Sequence, residues 1–282
     1  GYMFNNGLKK EALNALKKEK SIYDIQLTKT IEVLEEFHNN KLDVKASINE
    51  FYEKLRKVGG KPQDIEFDLH DIKEELNKFD DEVKKIQNEA ENQNYGTLTG
   101  AGVAAGAGVA AFGPTAAMAI ATTFGTASTG TAIATLSGAA ATNAALAWLG
   151  GGALAAGGSG IAGGSTLLAA TGPAGWAIGG LAIAIGGFMA NSKNKEIARK
   201  AEEQTTKLIS AELELKLMES KVRFNNNELD RQHKTFLNII KNKINFTGKT
   251  HWREFSNEEI EYIGSALNIA RTMAVMLNKK IV

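Results

Sequence analysis

The sequence has no cysteine and only three prolines in 282 residues. Without Cys there is no disulfide framework, no thiolate nucleophile and no Cys-based metal site. Prolines at 62, 114 and 173 alone leave long stretches in which a helix need not break. Charge is also missing, and from one place. After Glu91 the next Asp, Glu, Lys or Arg is Lys193, so all 65 charged residues and all four His lie outside a 101-residue gap. A formal net charge of +1 gives no excess of Lys and Arg for phosphate neutralisation, so no nucleic-acid partner is expected. Such segregation excludes an ordinary globular enzyme with one uniform core.

What fills the gap is glycine and alanine. Residues 96–192 hold 23 Gly and 30 Ala in 97 positions. The chain therefore divides into a charged N-terminal arm (1–95), an uncharged Gly/Ala-rich module (96–192) and a charged C-terminal arm (193–282). The first residues, Gly1 to Gly7, lead into Lys9, Lys10 and Glu11 rather than an apolar core, so no signal peptide is expected there.

The arms read as long amphipathic helices. Leu27, Ile31, Leu34, Phe37, Leu42, Val44, Ile48, Phe51, Leu55 and Val58 recur mostly at three or four residues, predicting a helix over 7–58, on the order of 75 Å long. Gly59-Gly60-Lys61-Pro62 stops it. A second helix is predicted over 63–94, with a 4-3 seam from Ile65 through Leu69, Ile72, Leu76, Phe79, Val83 and Ile86 to Ala90. A third, over 191–244, carries Ala201, Thr205, Leu208, Leu215, Val222, Leu229, His233, Phe236, Ile240 and Ile244 on one face. A fourth starts at Ser256, where Ser256 and Glu259 have capping-box spacing, and runs along Ile260, Ile263, Leu267, Ala270, Ala274 and Leu277. Residues 63–92 carry 11 acidic and 4 basic side chains, and 193–244 carry 8 and 12. Opposite fields on the two helices that flank the module predict that they pair side by side.

Roughly 20 apolar residues cross a bilayer core. The module has room for up to four such stretches, at about 98–124, 126–149, 153–170 and 173–190, and an even number, two or four, returns the chain to one side. Small residues recur every four positions: Gly102 and Gly106; Gly130, Ala134 and Gly138; Gly160 and Gly164. Such rows let helix backbones approach closely in lipid, in the manner of a glycine zipper. Trp148 and Trp176 stand beside glycine breaks, where an interfacial Trp belongs. Ile178, Leu181, Ile183, Ile185 and Phe188 make the run from Trp176 to Met189 the greasiest of all. These fourteen residues are the candidates for membrane insertion. Tight packing of buried helices in a soluble fold is the other use of the same pattern.

Motifs for chemistry fail on context. Gly100-Ala101-Gly102-Val103-Ala104-Ala105 fits a dinucleotide fingerprint, but a helix precedes it and no acid follows before Glu196. Gly248-Lys249-Thr250 lacks the first glycine of a phosphate loop, since Lys243 stands there. His38, His70, His233 and His251 have no metal-ligand spacing, and His233 reads as a packed core residue. No catalytic residue, metal or cofactor is expected.

Long amphipathic helices interrupted by one uncharged Gly/Ala-rich module resemble the cytolysin A-type α-helical pore-forming toxins, which include the tripartite enterotoxin components of bacilli. The resemblance is architectural. It implies an all-α fold: an elongated antiparallel helical bundle with a hydrophobic head inserted between two long helices. It implies a secreted or cytoplasmic soluble form that becomes membrane-associated and inserts as an oligomer, its partners being a lipid membrane and either further copies or a second pore component. The competing expectations are a constitutive membrane protein with coiled-coil scaffold arms and a soluble helical interaction protein.

Overall fold

A computed structural model describes residues 2–92, 114–125, 132, 136 and 191–281. Among the described residues the chain is all-α, without a strand. The helices are α1 (Tyr2–Arg56), α2 (Gln63–Asn92), α3 (Pro114–Phe124), α4 (Asn191–Asn242) and α5 (Asn257–Asn278), with one 3-10 turn at Trp252–Glu254. They belong to two compact units. One comprises 1–30, 101–112 and 130–218, and the other 31–100, 113–129 and 219–282.

In the first unit, Leu13, Leu16, Tyr23 and Leu27 of α1 and Ala201, Leu208 and Leu215 of α4 are buried. Leu136 is buried as well, and its carbonyl accepts a 2.6 Å hydrogen bond from the Tyr23 hydroxyl. Thr30 donates to the Leu215 carbonyl (3.3 Å) and to Gln26 O of its own helix (2.9 Å).

The second unit is a bundle of the later parts of α1 and α4 with α2, α5 and the short α3. Its neighbours run in both senses. Lys45 pairs with Asp80, and Lys73 lies over the Tyr52 ring, so α1 and α2 are antiparallel. Asn40 donates to Asn226 and Ser47 meets His233, so α1 and α4 are parallel here. Arg271 meets Asp68, and Asn278 meets Glu75, so α2 and α5 are parallel too. An antiparallel bundle throughout is thus not what this unit shows. Acidic side chains of α2 pair with Lys45 of α1, with Arg271 of α5 and with Lys280 just beyond α5.

The expected stops are where the glycines and proline place them. Gly60 takes φ +72° after α1, a left-handed turn that favours glycine. Lys61 folds back onto the carbonyls of Val58 and Arg56, satisfying the orphaned end of α1. Pro62 O accepts from Glu66 N and opens α2. Gly59 is tied to the α4–α5 loop by two 2.8 Å backbone bonds, with Thr250 O and Trp252 N. An edge-to-face chain of Phe236, Phe51, Phe246 and Phe255 fills the same end. Ser256 and Glu259 form the expected capping box. Glu259 also accepts from Lys249 and Asn245; although partial burial works against it, these bonds hold its carboxyl down at about 2. Lys249 thereby braces the loop against the start of α5.

The buried residues follow heptads more strictly than apolarity suggests. Along α4, Ala201, Leu208, Leu215, Val222, Leu229 and Phe236 fall every seven residues and none exceeds 1% exposure. Along α1, Thr30, Leu34, Phe37, Lys41, Val44, Ile48, Phe51 and Leu55 keep a 4-3 alternation. The seam position is Lys41, at 0% exposure, whereas Leu42 is 37% exposed. An ammonium therefore sits where a Leu was expected.

Candidate functional site

The one described helix of the uncharged module, α3, docks in the second unit around that lysine. Its eleven residues, Pro-Thr-Ala-Ala-Met-Ala-Ile-Ala-Thr-Thr-Phe, carry no titratable group. Pro114 opens it, as a proline can at a first helical position. Gly125 closes it with φ +83° and donates to Ala121 O at 2.9 Å, a left-handed C-cap. On its apolar side, Met118 and Ala121 pack with Ile86 and Val83 of α2. Thr115 is exposed.

The end of α3 is held by polar groups on three sides. Thr122 O accepts from Lys280 Nζ (2.9 Å) and, at 3.4 Å, from Lys41 Nζ. Thr123 O accepts from Ile281 N (2.9 Å). The segment Lys279–Ile281 thus lies across the last turn of α3 as a strap, with the Lys280 stem over Gly125. Lys280 is also paired with Glu82 of α2. Thr122 Oγ1 donates to Met118 O (2.9 Å), so its oxygen is left to accept from His38 Nδ1 (3.0 Å). In that arrangement His38 Nδ1 carries a proton. Thr123 Oγ1 is buried without a hydrogen-bond partner.

This surrounding disfavours positive charge. Burial, with the Lys41 cation beside it, pushes His38 down to about 4. Burial, aided by Lys280 and opposed by Glu82, pushes Lys41 down to about 7. Lys41 also lies 4.5 Å from the centre of the Phe37 ring, which offsets part of its desolvation. Both groups therefore hold a proton less readily than they would in water.

Other features are more ordinary. A groove of about 580 Å³ is lined by Glu32, Glu35, Glu36, Asp43 and Asp230 with four Asn. Burial and the neighbouring Glu32 raise the carboxyl of Glu35. Among the described residues no group of His, Cys, Asp and Glu is placed to hold a metal ion. His233, read as a packed residue, is half-buried and shares a 2.8 Å hydrogen bond with Ser47 Oγ.

Gly102, Gly106, Gly130, Ala134, Gly138, Trp148, Gly160, Gly164, Trp176, Ile178, Leu181, Ile183, Ile185 and Phe188 lie outside the described residues, and so do the Gly100–Ala105 fingerprint and the apolar stretches 153–170 and 173–190. No described helix is long and apolar enough to cross a membrane. The end of α3 at Phe124–Gly125 coincides with the end predicted for the first stretch, 98–124. Sequence reasoning passed over His38, Lys41, Thr122 and Lys280. Strict heptad counting along α1 would have found Lys41. Nothing local marks the others. The chain matches no protein-family model, no curated protein and no solved structure.

Proposed function

We propose that the protein perforates membranes: a soluble form releases the uncharged module 96–192, which inserts and oligomerises while the charged arms stay in water. One observation carries this reading. A 101-residue stretch without charge is flanked by helices whose charged faces cannot enter hydrocarbon. Two further points support it. The small-residue rows suit helix packing in lipid. The described piece of the module, α3, is shielded in this form: Ala116 and every residue from Met118 to Phe124 are buried, as a soluble state that keeps the module from water requires. At eleven residues, about 16 Å, α3 is too short to cross by itself and would do so only as part of a longer stretch.

The test is release of a trapped dye from liposomes by the full chain, over a range of pH and of anionic and neutral lipids, combined with flotation. Leakage with co-flotation supports perforation. Protein that leaves vesicles intact and stays at the bottom of the gradient under every condition overturns it, and favours the alternative of a soluble helical protein with α3 as a permanent core element. Material that never leaves the membrane fraction on extraction points instead to a constitutive membrane protein.

A further inference from the structure

We infer that His38, Lys41 and the 279–281 strap form an acid-sensitive latch that holds α3 against the bundle at neutral pH and frees it on acidification. The inference rests on the perforation reading for its purpose, since it names the trigger for releasing the module, but its physics is independent of lipid.

The geometry is that of a lock made from hydrogen-bond acceptors. The last turn of any helix leaves carbonyls without intrahelical partners. Here those of Thr122 and Thr123 are met from outside α3, by Lys41, by Lys280 and by the backbone of Ile281. The hydroxyl of Thr122 is met by His38. His38 and Lys41 are three residues apart on α1, so both side chains reach the same turn of α3. The charged groups that reach this pair are few. Lys41 faces His38 from its own helix, Lys280 faces Lys41 from the strap, and Glu82 faces Lys41 from α2. The sequence of α3 contributes none.

Protonation of His38 then places a second cation beside Lys41, with Glu82 already paired to Lys280. The sign follows from linkage. A group whose folded state disfavours the proton makes the docked form lose stability as pH falls between its free and its docked pKa. For His38 that window runs from about 6.5 down to about 4. For Lys41 it runs from about 10.5 down to about 7, and below that the cost of its buried charge is constant. Between pH 7.5 and 4.5 His38 therefore carries most of the change, and Lys41 adds a smaller share near pH 7.

The absence of Cys permits a direct test on the full chain in plain buffer. Thr123→Cys replaces a buried hydroxyl that has no partner. Its labelling by 4,4′-dithiodipyridine, divided by the rate of an exposed Thr115→Cys control, reports undocking. Ala270→Cys in the α5 core reports unfolding of the bundle. Between pH 7.5 and 4.5 the Thr123→Cys ratio is expected to rise by roughly ten- to fifty-fold, as the two pKa values of His38 allow, while Ala270→Cys stays protected. Adding His38→Gln, which keeps a donor for Thr122 but cannot titrate, should cut the rise to about fivefold or less, the share left to Lys41 near pH 7. Should His38→Gln fail to fold, His38→Asn, which likewise cannot titrate, takes its place with the same expectation. A flat Thr123→Cys profile overturns the latch. A rise shared by Ala270→Cys overturns it too, because that is acid unfolding. If the latch opens as described but liposomes stay intact, the perforation reading fails and the latch stands; if liposomes leak equally at pH 7.5 and 4.5 with a flat labelling profile, the reverse holds.

Discussion

Thr30 and Lys41 are both seam positions of α1, eleven residues apart, and both are completely buried. They solve the same problem differently. Thr30 donates to Gln26 O one turn back and to Leu215 O of α4, and accepts from Gln26 Nε2, so its needs are met by permanent helices. Lys41 has its hydrogen bond to Thr122 O on α3, a segment of the uncharged module, and its charge is set against Lys280 and Glu82. A polar residue satisfied within its own scaffold is a fixed element of packing. One satisfied by a separable segment makes the scaffold's stability depend on where that segment is.

The strongest way to break the contrast is to remove α3 from its place. Ala121→Asp puts a carboxylate into the contact with Met118, Val83 and Ile86. Burying it unpaired costs about 3 kcal/mol or more, so α3 should undock rather than accept it. The expected result is full thiol accessibility of Thr123→Cys with helical circular dichroism nearly unchanged, whereas Thr115→Asp, on the exposed side, should change neither.

Next in size is Lys41→Met. Replacing a buried cation by an apolar side chain of similar length should stabilise the second unit by about 1–3 kcal/mol. Because the docked pKa of Lys41 is about 7 and its free value about 10.5, the gain should be full below pH 7 and shrink as pH rises through that window. Urea midpoints at pH 6.5 and pH 10 measure it. Gly125→Ala should cost about 1 kcal/mol, since φ +83° is left-handed and an added Cβ would touch the Lys280 stem at 3.5 Å. The same urea series reads it. The smallest effect should come from Thr30→Val, about 1 kcal/mol or less, as Gln26 keeps its intrahelical backbone bond and only one hydroxyl is lost. A large loss there, with none at Lys41, would invert the comparison.

The helices were legible because their causes are local. Gly59-Gly60-Lys61-Pro62 marks a stop by dihedral preference and a missing donor, and Ser256 with Glu259 marks a start by side-chain reach. The seam of α2 from Ile65 to Ile86 was readable because every position is apolar. Along α1 the reading slipped at one place. Apolarity selected Leu42, while the 4-3 geometry put Lys41 inside, and the reason is a carbonyl 81 residues away in α3. His38 and Lys280 were hidden likewise, since no spacing within α1 or after α5 announces that Thr122 will arrive between them. The expected pairing of α2 with α4 rested on net charge alone, which does not by itself specify a neighbour, and Arg271 and Lys280 also meet acidic residues of α2.

The double bond pair at Gly59 has a mechanical corollary. It staples the α1–α2 corner to the α4–α5 corner, beside the stack of Phe51, Phe236, Phe246 and Phe255, while α3 grips α1 some eighteen residues earlier, near His38 and Lys41. That end of the second unit is therefore cross-linked by backbone bonds, and opening is expected to start at the end where α3 docks. Amide exchange should be slowest at Gly59 and Trp252 and fastest at Gly125 and Ile281, a gradient fixed by where the staple sits.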